Sequence, residues 1–176
     1  IEVLDEYGQR RCIHIPDERP LTLFVDKREL VTLMTLGAVP ELLALGYLRN
    51  QRLVDSVEAV ESVTVDWDVA AVAVRTREGI ENIERKTARR VVTTGCGQGT
   101  VFGDLMAEID DIRLPGSATL SRTALYALLE CVRQHDTLYK QAGAIHGCAL
   151  ATNRGDASEI LMFVEDVGRH NAIDTI

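Results

Sequence analysis

The feature of this sequence that most constrains its fold is a change in hydrophobic periodicity along the chain. Over residues 21–33 apolar and polar residues alternate with a period of two, which is typical of a β-hairpin, and residues 57–65 and 69–75 are rich in valine at near-alternate positions. Between these strand patterns, Pro40 begins a helix whose apolar stripe continues to about Arg52. The first part of the chain is therefore predicted to be β-rich with one helix.

The later part of the chain combines helical patterns with short apolar runs. Ser121 is placed to cap a long helix with apolar periodicity, and Gly143 ends a second helical stretch. Residues 144–151 and 160–164 are almost continuously apolar, which is typical of strands that are buried on both faces. Helices and strands in this order favour an α/β layered structure.

A highly polar stretch over residues 75–90 is predicted to separate the two parts of the chain. We therefore expect two domains: a β-rich N-terminal subdomain over residues 1–78 and an α/β domain over residues 79–176. The final segment, residues 168–176, looks like the start of a helix with no Gly or Pro after it. We expect the α/β domain to be incomplete at its C-terminus.

Charge and cysteine content exclude several classes of protein. The chain of 176 residues has 27 acidic and 19 basic residues and a net charge of -8, which disfavours a general nucleic-acid binder. We find no apolar run long enough to span a membrane and no secretory signal, so no membrane association is predicted. Four widely spaced cysteines without a CxxC pair, Cys12, Cys96, Cys131 and Cys148, indicate reduced thiols and a cytoplasmic protein.

Cys96 is the strongest candidate for a residue that carries chemistry. It lies between Gly95 and Gly97, with Gly99 close behind, after a short β-branched run. Such a loop can adopt positive φ angles and direct backbone N–H groups at the sulfur, which favours a nucleophilic thiolate. The alternatives are a tight turn with an incidental cysteine and a phosphate-binding loop, although the complete glycine motifs of phosphate loops are missing.

A second candidate site follows an apolar strand near the end of the chain. Five polar side chains occur within seven positions there: Glu165, Asp166, Arg169, His170 and Asn171. Ligands commonly bind at the carboxyl ends of strands in open α/β sheets, so Arg169 is predicted to hold a phosphate or another anion. Glu165 and Asp166 are predicted to orient His170 or a donor group of the ligand. The alternative is a helix cap with a surface salt bridge.

His146 is a third candidate, because Gly143 and Gly147 leave space around its ring; a half-buried structural histidine is the alternative. His146 and Cys148 share one face of a predicted strand and could form a zinc site with Cys96, which gives a deaminase-type zinc hydrolase as one hypothesis. However, Cys148 occupies the position of the catalytic glutamate of zinc deaminases, and no P-C-x-x-C motif follows. No metal is therefore assigned.

Four motifs together resemble those of the formate dehydrogenase accessory proteins, the FdhD family. In chain order they are ELLALGYL at residues 41–48, TGCG at 94–97, GAIH at 143–146 and EDVGRHNAID at 165–174. The last motif is quite specific.

The resemblance implies a sulfurtransferase that moves persulfide sulfur from a cysteine desulfurase to the bis-molybdopterin guanine dinucleotide cofactor needed by the catalytic subunit of formate dehydrogenase. Cys96 would hold the persulfide, and the molybdenum cofactor would be a bound acceptor and not a permanent cofactor. The resemblance also implies a cytidine-deaminase-like fold for residues 79–176 and a homodimer. The residue patterns and the resemblance together predict which residues lie at the cofactor and its guanine nucleotide: Gly97, His146, Glu165, Asp166, Arg169, His170 and Asn171.

The sequence departs from the family pattern at Gly99, where members often have a second cysteine. A carrier that uses Cys96 alone fits this departure. So does a different class of protein, a chaperone that binds the molybdenum guanine dinucleotide cofactor without covalent chemistry. A further part of the family's cofactor site would follow Ile176.

Overall fold

The structure is a computed structural model that describes residues 1–81, 83–84, 90–92, 100–102, 112–135, 137–154 and 157–176. Its elements, in chain order, are β1 (Glu2–Leu4), β2 (Arg10–Cys12), β3 (Arg19–Val25), β4 (Arg28–Thr35), α1 (Pro40–Asn50), a 3₁₀ turn (Val57–Ala59), β5 (Val60–Asp66), β6 (Ala71–Thr76), β7 (Arg90–Val92), β8 (Thr100–Phe102), α2 (Arg122–Gln134), α3 (Leu138–Ala142), β9 (His146–Arg154), β10 (Ala157–Asp166) and α4 (Arg169–Thr175). The mixed α/β class is confirmed. The predicted deaminase-like layering and the incomplete C-terminus stay predictions.

The N-terminal part forms a four-stranded sheet in the order β4-β3-β6-β5. The predicted hairpin is confirmed as β3 and β4, which turn at Asp26 and Lys27 with positive φ angles. β6 pairs parallel to β3 and antiparallel to β5. The predicted start of β5 at residue 57 is wrong, because residues 57–59 form the 3₁₀ turn and the Ala59 N–H donates to the Ser56 carbonyl.

The main hydrophobic core lies between this sheet and α1. Inward-facing residues of the strands, Leu21, Leu23, Val25, Leu33, Val72 and Val74, pack in one cluster with Leu43, Tyr47 and Leu48 of α1. The alternation in β3 and the helical stripe of α1 place these side chains on facing surfaces. The core therefore follows directly from the periodicity of the sequence.

β9 and β10 form a two-stranded antiparallel ribbon with a bulge between Ile160 and Met162. α2 packs on this ribbon and is capped as predicted, since the Ser121 hydroxyl accepts a hydrogen bond from the Ala124 N–H. The prediction that both strands are buried on both faces is wrong, because Leu150 is 48% exposed and Leu161 is 59% exposed. Within the described residues each strand pairs only with the other, and one face of an antiparallel pair can remain in solvent.

α4 returns to the N-terminal part of the chain and packs against α1. A side chain at Gly46 would overlap the backbone carbonyl of Asp174, so the glycine permits this close approach. The Asn50 side-chain amide also donates to Asp174 Oδ1 at 2.7 Å. Contacts therefore cross the predicted boundary at residue 78, and the division into two subdomains stays a prediction.

Candidate functional site

The two acidic residues at the end of β10 bind to different parts of the molecule. Neighbouring side chains of a strand point to opposite faces, and here each face carries other elements. Glu165 accepts hydrogen bonds from the backbone N–H groups of Leu138 at 2.7 Å and Tyr139 at 3.0 Å. These groups belong to the first turn of α3, where a carboxylate is favoured by the helix dipole. Glu165 thus holds α3 against β10.

Asp166 is 4% exposed, and its two oxygens accept hydrogen bonds from two different elements. Oδ2 accepts from the hydroxyl of Thr35 and from the Leu36 N–H at 3.2 Å, both at the end of β4. Oδ1 accepts from the Gly168 N–H at 2.8 Å and from the Asn171 side chain at 2.9 Å, both at the start of α4. Four donors satisfy this buried carboxylate. We refer to Thr35, Leu36, Asp166, Gly168 and Asn171 as the Asp166 clasp.

Asn171 is also 4% exposed, and its amide is used inside the protein. Its Nδ2 atom donates to the carbonyl of Met34 at 2.7 Å as well as to Asp166. A Cβ atom at Gly168 would lie 3.0 Å from Nδ2, so a residue without a side chain leaves room for this amide. The first turn of α4 is therefore fixed to β4 at two points, Thr35 and Met34.

Arg169 and His170 lie between the clasp residues Gly168 and Asn171, and both side chains are exposed. Within the described part of the chain, Arg169 has no ion-pair partner. One turn further on, burial raises the pKa of Asp174, while the hydrogen bond from Asn50 and the charge of His170 act in the opposite direction. Among the described residues, the structure thus places a guanidinium without an ion-pair partner and an imidazole next to the hydrogen bonds of the Asp166 clasp.

His146 is exposed at the start of β9, opposite Asp166 in the strand register, and Gly147 is opposite Glu165. His146 and Glu165 line a shared cavity of about 410 Å³. The other walls include Thr137, Tyr139, Ile145, Gly147 and Phe163. The ring of Phe163 lies against Gly147 and stacks on His135, with 5.1 Å between the ring centroids. The predicted site residues that the structure describes therefore fall into three groups: the cavity, the buried clasp and the exposed start of α4.

Cys96 and Gly97 lie outside the described residues, so their predicted roles stay predictions. Cys148 lies half-buried on β9, Cys131 is half-buried on α2, and Cys12 is exposed. Over the residues that the structure describes, no group of three or more His, Cys, Asp or Glu side chains could hold a metal ion. The same ranges contain no helix that is both long enough and apolar enough to cross a membrane.

Two positions that matter at this site were missed by the sequence predictions, Thr35 and Gly46. Gly46 gave a usable signal, because a glycine inside an amphipathic helix often marks a close contact. Thr35 gave none, since its partner Asp166 is 131 residues away in the sequence.

Known proteins share sequence and fold with this chain. The profile of the FdhD/NarQ family matches residues 16–176. "Sulfur carrier protein FdhD" of Listeria monocytogenes serotype 4b (strain F2365) is 26% identical over 164 residues, which is 92% of this chain and 61% of the relative. The protein of that name from Wolinella succinogenes is 26% identical over 180 residues, 99% of this chain and 61% of the relative. That of Sulfurisphaera tokodaii is 28% identical over 165 residues, with coverages of 92% and 60%.

A similar fold occurs in the crystal structure of a protein described as a formate dehydrogenase accessory protein from Desulfotalea psychrophila. The TM-score is 0.69 at 22% identity, over 99% of this chain and 64% of that one. The chain spans about three fifths of the length of the curated relatives that it matches. Because the family profile covers almost all of its residues, this chain belongs to the FdhD/NarQ family.

Proposed function

We propose that this chain is a sulfur carrier in formate dehydrogenase maturation, which transfers persulfide sulfur from a cysteine desulfurase to the bis-molybdopterin guanine dinucleotide cofactor. The observation that carries the proposal is the family match over residues 16–176, which includes both Cys96 and the segment at residues 165–174. The relatives named as sulfur carrier proteins support it. On this proposal the protein is a sulfurtransferase.

The first chemical step follows from the thiol of Cys96. Its thiolate attacks the outer sulfur of the desulfurase persulfide, the S–S bond of the donor breaks, and the desulfurase cysteine leaves as a thiolate. Cys96 then carries the outer sulfur as a persulfide. This exchange needs no external oxidant or reductant, because one S–S bond forms as another breaks.

The acceptor end of the proposal uses the residues around β10 and α4. A guanine dinucleotide carries phosphates, and the exposed guanidinium of Arg169 can bind a phosphate through two parallel N–H donors. His170 lies beside it, and His146 and Glu165 line the neighbouring cavity. We assign contact with the cofactor to Arg169, His170 and His146 and to Gly97. Glu165 is assigned to the support of the cavity, because its two carboxylate oxygens accept the backbone N–H groups of Leu138 and Tyr139. Asp166 and Asn171 are assigned to the support of the site, because their polar atoms are engaged within the clasp.

The test is activation of formate dehydrogenase by the full protein with Cys96→Ala, against a matched control with Cys148→Ala. Cys148 is a half-buried thiol on β9, so the Cys148→Ala variant lacks one thiol but retains Cys96. We expect Cys96→Ala to abolish activation and Cys148→Ala to retain it. Full activation by the Cys96→Ala variant would contradict the carrier proposal. It would favour the alternative, a chaperone that binds the cofactor without covalent chemistry, which is consistent with Gly99 in place of a second cysteine.

A further inference from the structure

The side chain of Thr35 links the N-terminal sheet to the segment that carries Arg169 and His170. Thr35 is the last residue of β4 and is 1% exposed. Its hydroxyl donates to Asp166 Oδ2 and accepts a hydrogen bond from the Gly37 N–H at 3.0 Å. We infer that Thr35 is a positioning residue, which acts through Asp166 to set the orientation of Arg169 and His170 toward an anionic ligand. The ligand part of this inference rests on the proposed function.

The two carboxylate oxygens of Asp166 bind different elements of the fold. Oδ2 binds only the end of β4 among the described residues, and Oδ1 binds only the start of α4. Because both oxygens belong to one planar group, the carboxylate cannot turn toward one side without losing the other pair of bonds. The carboxylate of Asp166 therefore connects the end of β4 to the first turn of α4, alongside the direct bond from Asn171 to the Met34 carbonyl.

Removal of the Thr35 hydroxyl leaves an unbalanced junction. Oδ2 would keep only the bond from the Leu36 N–H at 3.2 Å, and the Gly37 N–H would lose its acceptor. A buried carboxylate that loses a donor is destabilised, which favours a rearrangement of the groups that remain bound to it, Gly168 and Asn171. We expect the backbone at Arg169 to shift with them.

A purely structural role for Thr35 is separated from positioning by a matched control on the same strand. Thr32 lies three residues earlier on β4, and its hydroxyl is hydrogen bonded to that of Thr22 at 3.0 Å. Among the described residues, no hydrogen bond joins this pair to the clasp. Thr35→Val and Thr32→Val both replace a threonine hydroxyl by a methyl group of similar size, and Thr35→Ser restores the hydroxyl at the critical position.

The experiment measures GDP binding by calorimetry to the full chain and its three variants, at a temperature where unfolding curves show each to be folded. We expect Thr35→Val to weaken GDP affinity at least about tenfold, and Thr35→Ser and Thr32→Val to stay within about threefold of the parent. Unchanged affinity in Thr35→Val overturns the inference. So does an equal loss in Thr32→Val, because the effect would then be one of general stability.

A second readout does not depend on the ligand. The amide hydrogens of Gly168 and Ala172 are bonded at the start of α4, and their exchange with solvent reports opening of this turn. We expect faster exchange in Thr35→Val and parent-like exchange in Thr32→Val. If the parent itself fails to bind GDP, the proposed ligand at Arg169 is contradicted, and this exchange then decides for or against the clasp alone.

Discussion

The four-stranded sheet with α1 and the ribbon of β9 and β10 with α2 are held together in different ways. In the first region, Leu21, Leu23 and Val25 are completely buried against α1. In the second, large apolar side chains such as Leu150 and Leu129 remain about half exposed, and the best-defined contacts are the polar ones made by Glu165 and Asp166. Apolar packing thus secures the first region, and hydrogen bonds at the end of β10 attach the second to it.

The two regions meet at the start of α4, where Arg169 and His170 lie. Arg169 and His170 follow the strand β10, and the start of α4 is bound both by Asp166 of β10 and by β4 and α1 of the first region. A ligand that binds at this position, as we propose, would contact residues of α4 that elements of both regions hold in place.

The difference in apolar packing between the two regions is tested by shortening one leucine side chain in each region. Leu23→Ala removes a completely buried side chain and should lower the free energy of unfolding by about 2–5 kcal/mol. Leu150→Ala removes a side chain that is already half exposed and should cost less than about 1 kcal/mol. Urea unfolding measures both. Equal losses would show that Leu150 is covered in solution and would remove the contrast between the regions.

The joint between the regions is tested by Gly46→Ala. The new methyl group overlaps the Asp174 carbonyl, so α4 must move away from α1, and the loss should be about 2 kcal/mol despite the better helix propensity of alanine. Gly116→Ala is the control, because a Cβ atom at Gly116 meets open space. Thermal unfolding should separate the two variants clearly. A Gly46→Ala protein as stable as the parent would contradict the close packing of the two helices.

The smallest expected effect is a pH dependence at Asp174. Burial raises its pKa in the folded state, so folding favours the protonated form, and the associated stability is lost as the pH rises through the folded pKa. Asp174→Asn removes this charge and keeps an oxygen that can accept from Asn50. We expect the variant to match the parent in acid and to gain less than about 1 kcal/mol on it near neutral pH.

Unfolding curves at several pH values measure this difference, with Asp17→Asn at an exposed ion pair as the control. A difference between the Asp174→Asn variant and the parent that does not change with pH would contradict the raised pKa. If the variant instead became less stable relative to the parent toward neutral pH, folding would lower the pKa of Asp174 and not raise it.

Local patterns predicted the parts of the fold that depend on neighbouring residues. Alternation predicted β3 and β4, Pro40 began α1, and Ser121 capped α2. Continuous apolarity misled the prediction for β9 and β10, because it reports hydrophobic content and not which neighbours cover each face. Burial on both faces depends on elements that a local pattern does not contain.

The position of the site stays a prediction, and the sequence did not show which of its residues are buried. The sequence grouped Glu165, Asp166, Arg169, His170 and Asn171, and the structure describes all five. It could not separate the buried pair from the exposed side chains, since the burial of Asp166 and Asn171 depends on β4, more than a hundred residues away. Pairing over that distance leaves no trace in residue spacing.

The central claim is that Cys96 carries sulfur, and intact-protein mass spectrometry tests it most directly. The parent, Cys96→Ala and Cys148→Ala are incubated with a cysteine desulfurase and cysteine, and each is weighed before and after reduction. We expect the parent and Cys148→Ala to gain one sulfur atom that reduction removes, and Cys96→Ala to gain none. A parent that gains no sulfur while the desulfurase loads another acceptor, or a Cys96→Ala protein that gains it as well, would contradict the account.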